Sequence, residues 1–335
     1  MKLVVVTFFL ACIAVGLLAD AHPSASASDR YRRADSVAAI YQGHSLINLK
    51  NLSDRLTKPF DNDYDKFRAI YKWVCDNIEN DYELFMIHEN KRARLPKDEF
   101  DVWNRKFGNK VFKQLIQERK TVCTGYAWLI RELAQHAGLA CVVVDGYGRT
   151  ASTNVGGKDV PNHSWNAVQL NNTWYLCDAT WSSGFVDLNL SMFIKSFNEG
   201  YFLASPEQFL LNHYPLDSRW MLTDNKLTLH DFLNSPLPYR GAFEQELIPV
   251  YPSTYEIRAL KGETIHINFK TNSRAPVKEV SVQTNRSRNF KDVGIPFTKK
   301  NGIYQVDYVL PNKGSYDIYV RVNGFYVFAY HVTVI

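Results

Sequence analysis

Residues 121–138 read TVCTGYAWLIRELAQHAG, and residues 163–180 read HSWNAVQLNNTWYLCDAT. In the first stretch Tyr126, Ile130, Leu133 and Ala137 recur at helical spacing, and Gly138 stands where a helix end favours glycine, so the spacing predicts a helix following Cys123. In the second, two alternating apolar runs flank Asn171-Asn172, which predicts strands over 163–170 and 174–180 joined by a two-residue turn. A third strand is expected over 141–147. The order is mixed, helix first and strands after.

Cys123 at the start of a helix lies beside unpaired backbone N–H groups, and these together with the helix dipole favour negative charge on its sulfur. Alone, it could equally be a small buried hydrophobe. The hairpin changes that balance. If Leu170 faces Thr173, His163 opposes Thr180, and Asp178 falls on the same face as a diagonal neighbour within side-chain reach. A carboxylate beside an imidazole sets its tautomer and stabilises the imidazolium, which is what Cys-His acyl transfer requires. Gly125 offers a place where a substrate backbone can come close. The Cys123 N–H is the expected first oxyanion donor, with Gln117 or Trp103 as candidates for the second. Trp165 and Trp181 flank the His/Asp pair and are expected to wall a cleft or fill the sheet core.

Working outward, residues 63–80 (DYDKFRAIYKWVCDNIEN) put Phe67, Ile70, Tyr71, Val74 and Ile78 at helical spacing, and a second helix is expected over 99–119. The 335 residues, 46% hydrophobic, suffice for roughly two domains and exclude a disordered or fibrous chain. The first 21 residues, an apolar run over 3–18 followed by Ala19-Asp20-Ala21, read as a signal peptide, with a second cut at Ala25-Ser26-Ala27. Secreted or periplasmic localisation is expected. Lipid attachment at Cys12 fits less well, because the apolar run continues past it. No transmembrane segment is expected.

Pro236, Pro238, Pro249 and Pro252 mark a linker, beyond which alternating strands, with an Asn323-Gly324 hairpin, suggest a β-sandwich. The net charge of +5 is local: between residues 91 and 120 ten Lys/Arg stand against four Asp/Glu. A patch of that kind excludes a domain-wide nucleic-acid surface but bears on acidic substrates. Cys75, Cys141 and Cys177 read as structural. The Asn-x-Ser/Thr sequons are read as chance, since a glycan on Asn162 would obstruct His163.

TVCTGY (121–126), NHSWNAV (162–168) and WYLCDATW (174–181) resemble the Cys, His and Asp motifs of the transglutaminase-like superfamily. YFLASPEQF (201–209) and HYPLDSRW (213–220) resemble the segment that follows the core in its kyphoscoliosis-peptidase-like branch, with Met221 departing from an expected glutamine. The resemblance spans about 60–235. It implies an α+β, papain-like core with the nucleophile's helix on an antiparallel sheet, and implies Cys123 as nucleophile, His163 as general base and acid, and Asp178 as the group orienting His163. The expected division is a signal peptide (1–21), an N-terminal helical segment (22–59), a catalytic domain (60–235), a linker (236–253) and a β-sandwich (254–335). No cofactor is expected, and the expected partner is a protein or peptide substrate. Peptidase or amidase action is favoured over crosslinking; the alternative is a non-catalytic scaffold or binding module of the cell envelope.

Overall fold

The computed structural model describes residues 30–151, 155, 160–187, 189–285 and 293–335. The expected signal peptide, Cys12 and residues 22–29 of the N-terminal segment lie outside them, as does part of the loop before His163.

Helices α1 (Arg32–Ile40) and α2 (Leu49–Thr57) bury Ala34, Ala38, Leu52 and Leu56 in one core with the apolar face of α3 (Asp63–Asn77). Asn62 starts α3 by accepting a hydrogen bond from the Asp65 N–H. The helix stops before the expected residue 80 because Ile78 turns extended, and Glu79–Asn80 (β1) pairs in parallel with Lys120–Thr121 (β2). Between these short strands runs a helical hairpin, α4 (Tyr82–Arg94) and α5 (Lys97–Glu118). The basic patch lies on it. Next comes α6 (Cys123–His136), whose Leu129, Ile130 and Leu133 pack in the same cluster as Val168 and Leu170 of the sheet.

That sheet has the order β5-β4-β3-β8, antiparallel throughout, from β3 (Cys141–Gly148), β4 (His163–Leu170), β5 (Thr173–Cys177) and, after a side hairpin of β6 (Gly184–Asp187) and β7 (Met192–Lys195), β8 (His213–Pro215). The α+β expectation therefore holds. Leu170 faces Thr173 as expected, and Asn171 and Asn172 both take positive φ, as a two-residue hairpin turn requires. The strand expected to reach residue 180 ends at Cys177, however, because the Asp178 side chain caps a short helix, α7 (Ala179–Ser183). The histidine strand separates Cys141 from Cys177, and all four described cysteines are free.

The stretch 236–253 is not an open linker. After α8 (Pro206–Phe209) and α9 (Leu229–Asn234), Leu237–Pro238 (β9) pairs with the last strand, α10 (Arg240–Glu244) buries Ala242 and Phe243, and Leu247–Tyr251 (β10) joins a sheet. Two of the four prolines sit where a strand tolerates them, Pro238 in a two-residue strand and Pro249 beside a register shift.

The C-terminal sandwich packs β10-β12-β16-β15 on β11-β18-β17-β13-β14. Its remaining strands are β11 (Glu256–Ala259), β12 (Thr264–Thr271), β13 (Val280–Thr284), β14 (Val293–Gly294), β15 (Phe297–Lys300), β16 (Ile303–Val309), β17 (Gly314–Val322) and β18 (Phe325–Val334). Alternation in β17 buries Tyr316, Ile318, Val320 and Val322. One apolar cluster runs from these residues through Phe243 and Tyr201 to Phe209 and Trp165, so the sandwich core is continuous with one face of the β5-β4-β3-β8 sheet. Among the described residues no helix is long and apolar enough to cross a membrane.

Candidate active site

Cys123 is the first residue of α6, and Val122 before it is extended. The first N–H groups of a helix have no intrahelical partner, so those of Cys123 and Thr124 are available where the thiol stands. Cys123 is partly exposed, whereas Cys75, Cys141 and Cys177 are buried, and burial pushes the Cys141 thiol up to about 12. Of the described cysteines, Cys123 is the one placed to meet a substrate.

Gly125 does something other than expected. A Cβ there would fall 1.9 Å from Thr121 Oγ1 and 2.8 Å from Thr121 Cβ, so the glycine admits the buried Thr121 side chain rather than a substrate backbone. Gly125→Ala is expected to cost about 1–3 kcal/mol in a urea titration through overpacking. Thr121→Ala should recover most of that loss in the double variant, since Thr121 Oγ1 has no hydrogen bond to forfeit. Equal stability of wild type and Gly125→Ala would sink this reading.

His163 opens β4, with its ring stacked on Trp181 at 4.6 Å between centroids. Its Nε2 lies 2.8 Å from Asp178 Oδ2, and the ring faces Cys123 across a shared cavity. With Nε2 engaged by Asp178, Nδ1 is the atom left for the thiol. Cys123 and His163 line one cavity of about 60 Å³, together with Asn80, Trp181 and, from α4, Phe85 and His88.

Asp178 is 1% exposed and accepts four hydrogen bonds. Its Oδ1 takes the N–H groups of Thr180 (2.8 Å) and Trp181 (3.2 Å), the α7 cap. Its Oδ2 takes His163 and, at 3.1 Å, Nε2 of His213. Burial alone would raise the Asp178 pKa, but the charge and hydrogen bond of His163 and the bond from His213 hold the carboxyl well below the usual carboxylate range. Burial opposes the His163 imidazolium too, yet the Asp178 charge and hydrogen bond, with Cys123, raise His163 to about 10. At His213 burial wins, and the neighbouring His163 adds to it, lowering the pKa to about 4. The resting charges are therefore an aspartate, a His163 imidazolium and a neutral His213.

The structure thus brings Cys123, His163 and Asp178 together. It leaves out Gln117, which is exposed, and Trp103, which stacks on Phe107 in a separate cluster. Trp181 walls the cavity, while Trp165 is sheet core. Asn162 is clamped to the Gly148 backbone by hydrogen bonds of 2.7 and 2.9 Å.

Two polar residues at the site escaped the sequence reading. Asn80 arrives through the β1/β2 pairing opposite Thr121, with Oδ1 buried and unpaired. His213 arrives on an edge strand 50 residues beyond His163, where Gly148 of β3 faces it. Among the described residues His163, Asp178 and His213 are also the group whose candidate metal-binding atoms lie within 4.8 Å of one another, and those atoms hydrogen-bond each other here.

A cysteine on a helix N-terminus, facing a histidine that a carboxylate holds beside an antiparallel sheet, is the papain-like arrangement of the transglutaminase fold. Residues 50–179 match the family model described as the transglutaminase-like superfamily. Kyphoscoliosis peptidase of Mus musculus is 29% identical over 279 residues, covering 82% of this chain and 38% of that protein. Hillarin of Drosophila melanogaster is 30% identical over 188 residues, 52% of this chain and 20% of its own. The Lim and transglutaminase domain protein ltd-1 of Caenorhabditis elegans is 23% identical over 235 residues, 62% and 28%. Residues 50–179 therefore form a transglutaminase-like domain, and the chain is similar to kyphoscoliosis peptidase over 82% of its length. It spans less than two-fifths of the length of these relatives.

Proposed function

We propose that this chain is a cysteine acyl-transfer enzyme that opens peptide or carboxamide bonds through a thioester and passes the acyl group to water more readily than to an amine. Cys123 and His163 on one cavity, with His163 held by Asp178, carry the reading. Cys123 attacks the carbonyl carbon as a thiolate whose proton already rests on Nδ1 of the His163 imidazolium. The oxyanion meets the Cys123 N–H and the Asn80 carboxamide. His163 then protonates the leaving amine as the C–N bond breaks, and Asp178 keeps the imidazolium oriented throughout. Water, giving its proton to His163, resolves the thioester to an acid and a free thiol.

Hydrolysis is preferred because Cys123 is partly exposed and crosslinking needs a cleft that keeps water from the thioester. The kinship with kyphoscoliosis peptidase supports the same preference. Incubation with a glutamine-bearing peptide and a primary amine should release more acid than amine adduct; the reverse ratio would overturn hydrolysis. Iodoacetamide at pH 6 should label Cys123 faster than a free thiol and lose that advantage in His163→Ala. A rate equal to a free thiol, unchanged in His163→Ala, would favour the non-catalytic scaffold. Asn80→Ala should lower kcat about 100-fold with KM little changed, as for one oxyanion donor; an unchanged kcat would remove Asn80 from the mechanism.

The substrate arrives past α4, which gives Phe85 and His88 to the cavity and carries Lys91 and Arg94 one to two turns further on. A protein or peptide with acidic residues flanking the scissile bond fits that wall. Export through the leader read at 1–21 belongs to the same proposal.

A further inference from the structure

We infer that His213 is a positioning residue of this site: a neutral imidazole that donates to Asp178, aims the carboxylate at His163, and is itself braced from the β-sandwich side. The inference rests on the acyl-transfer reading above for its kinetic consequence, though not for its geometry.

His213 is wholly buried, and its Nε2 is 3.1 Å from the same Asp178 oxygen that His163 approaches at 2.8 Å. The two rings are 5.4 Å apart between centroids, with one carboxylate between them. The titratable groups facing His213 are Asp178, His163 and, through Asn212, Tyr201. One negative charge supports one imidazolium in a buried setting, and His163, which also faces Cys123, is the one that holds it. A neutral His213 that donates from Nε2 has a lone pair on Nδ1. Asn212 Oδ1 sits 2.7 Å from that atom, and Asn212 Nδ2 donates to the Tyr201 hydroxyl at 3.3 Å. Turning this amide over places its nitrogen toward Nδ1 and its oxygen toward the tyrosine hydroxyl, and every polar atom from Tyr201 through Asn212 and His213 to Asp178 is then satisfied.

The ring is also held mechanically. Phe209 of α8 stacks on it at 3.9 Å and 20°. Tyr201, at the far end of the polar chain, stacks on Phe243 of α10 at 4.5 Å and 20°. Phe243 belongs to the apolar cluster that runs into the sandwich. With four donors on two oxygens, Asp178 has no free rotation. Removing His213 would free the oxygen that orients His163.

Two substitutions separate donation from packing. His213→Phe keeps a flat ring over Phe209 and removes the donor, whereas His213→Gln keeps a donor and loses the ring. In the full chain, iodoacetamide alkylation of Cys123 should slow about 10- to 100-fold in His213→Phe, the worth of a hydrogen bond to a charged group. Its acid limb should move to higher pH, because the ionised carboxylate has lost a donor. His213→Gln should react within a few-fold of wild type. Wild-type rate and an unmoved acid limb in His213→Phe would overturn the inference, as would equal slowing in both variants.

A second readout does not depend on reactivity. Ring nitrogen shifts of the ¹⁵N-histidine-labelled chain should show His213 neutral with its proton on Nε2 between about pH 5 and 8, with His163 doubly protonated. A His213 that titrates near its ordinary value of about 6.5 would refute the donor role. Should Cys123 prove no more reactive than a free thiol, the acyl-transfer reading fails, and the ring shifts still decide the bond between His213 and Asp178.

Discussion

Asp178→Asn is expected to leave a folded protein in which the proposed acyl-transfer rate has fallen about 10³- to 10⁴-fold, the cost of holding the proposed catalytic histidine in the wrong tautomer. The side chains are nearly isosteric, so the carboxamide oxygen of the variant can keep the N–H groups of Thr180 and Trp181 and preserve the α7 cap. Its amide nitrogen must then face the Nε2 atoms of His163 and His213. A donor there forces His163 to accept at Nε2, which moves its proton to Nδ1, the atom that must take the thiol proton.

The pH dependence of stability changes too, and the signs differ by group. His163 is raised to about 10, so its contribution is complete below its ordinary value and lost as pH climbs through about 10. Asp178 is depressed, so its contribution is present above the usual carboxylate range and lost on acidification. His213, lowered to about 4, adds stability above about 6.5 that disappears between there and about 4. Asp178→Asn should abolish the alkaline fall while kcat collapses, as thermal melts over pH and single-turnover rates would show. A variant within tenfold of wild-type rate would contradict the role given to Asp178.

The largest expected loss of stability is at Arg68→Met, about 3–5 kcal/mol by urea titration. Arg68 is 1% exposed, with Nε and Nη2 on the two oxygens of Asp35 at 2.6 and 2.9 Å. Glu199 takes Nη1 and, at 3.0 Å, Nη2. The guanidinium also lies over Phe202, 4.7 Å from the ring centroid. It ties α1 and α3 to the turn that precedes Phe202. Methionine would fill the volume and leave two carboxylates facing each other without a cation. Because Asp35 and Glu199 are 24% and 31% exposed, water recovers part of the penalty, and the lower end of the range is the better expectation. A loss under about 1 kcal/mol would mean that the ion pairs return no more than their desolvation cost.

What the sequence made legible was local. The Cys123 helix, the β4–β5 hairpin with its register, and the Asn323-Gly324 turn all follow from spacing and turn chemistry over short stretches of chain. Alternation carried the second strand too far, because Asp178 reads equally well as a strand residue and as a helix cap, and its backbone environment decides for the cap. Helix α4 had no signal to find, with only Leu84 and Arg92 fully buried along it. Prolines suggested a linker where strand edges tolerate them. His213 and Asn80 reach the site only through the pairings β3–β8 and β1–β2, which join distant segments that no local pattern connects.

The two oxygens of Asp178 serve different masters: one begins a helix, the other holds the histidines. Cys123 and His163 have no comparable second duty. In a lineage that no longer needs the reaction, drift should therefore erase the cysteine early and cheaply, while the aspartate persists as an architectural relic. A descendant with Asp178 and a serine or alanine at position 123 would be a retired enzyme whose fold still remembers the chemistry.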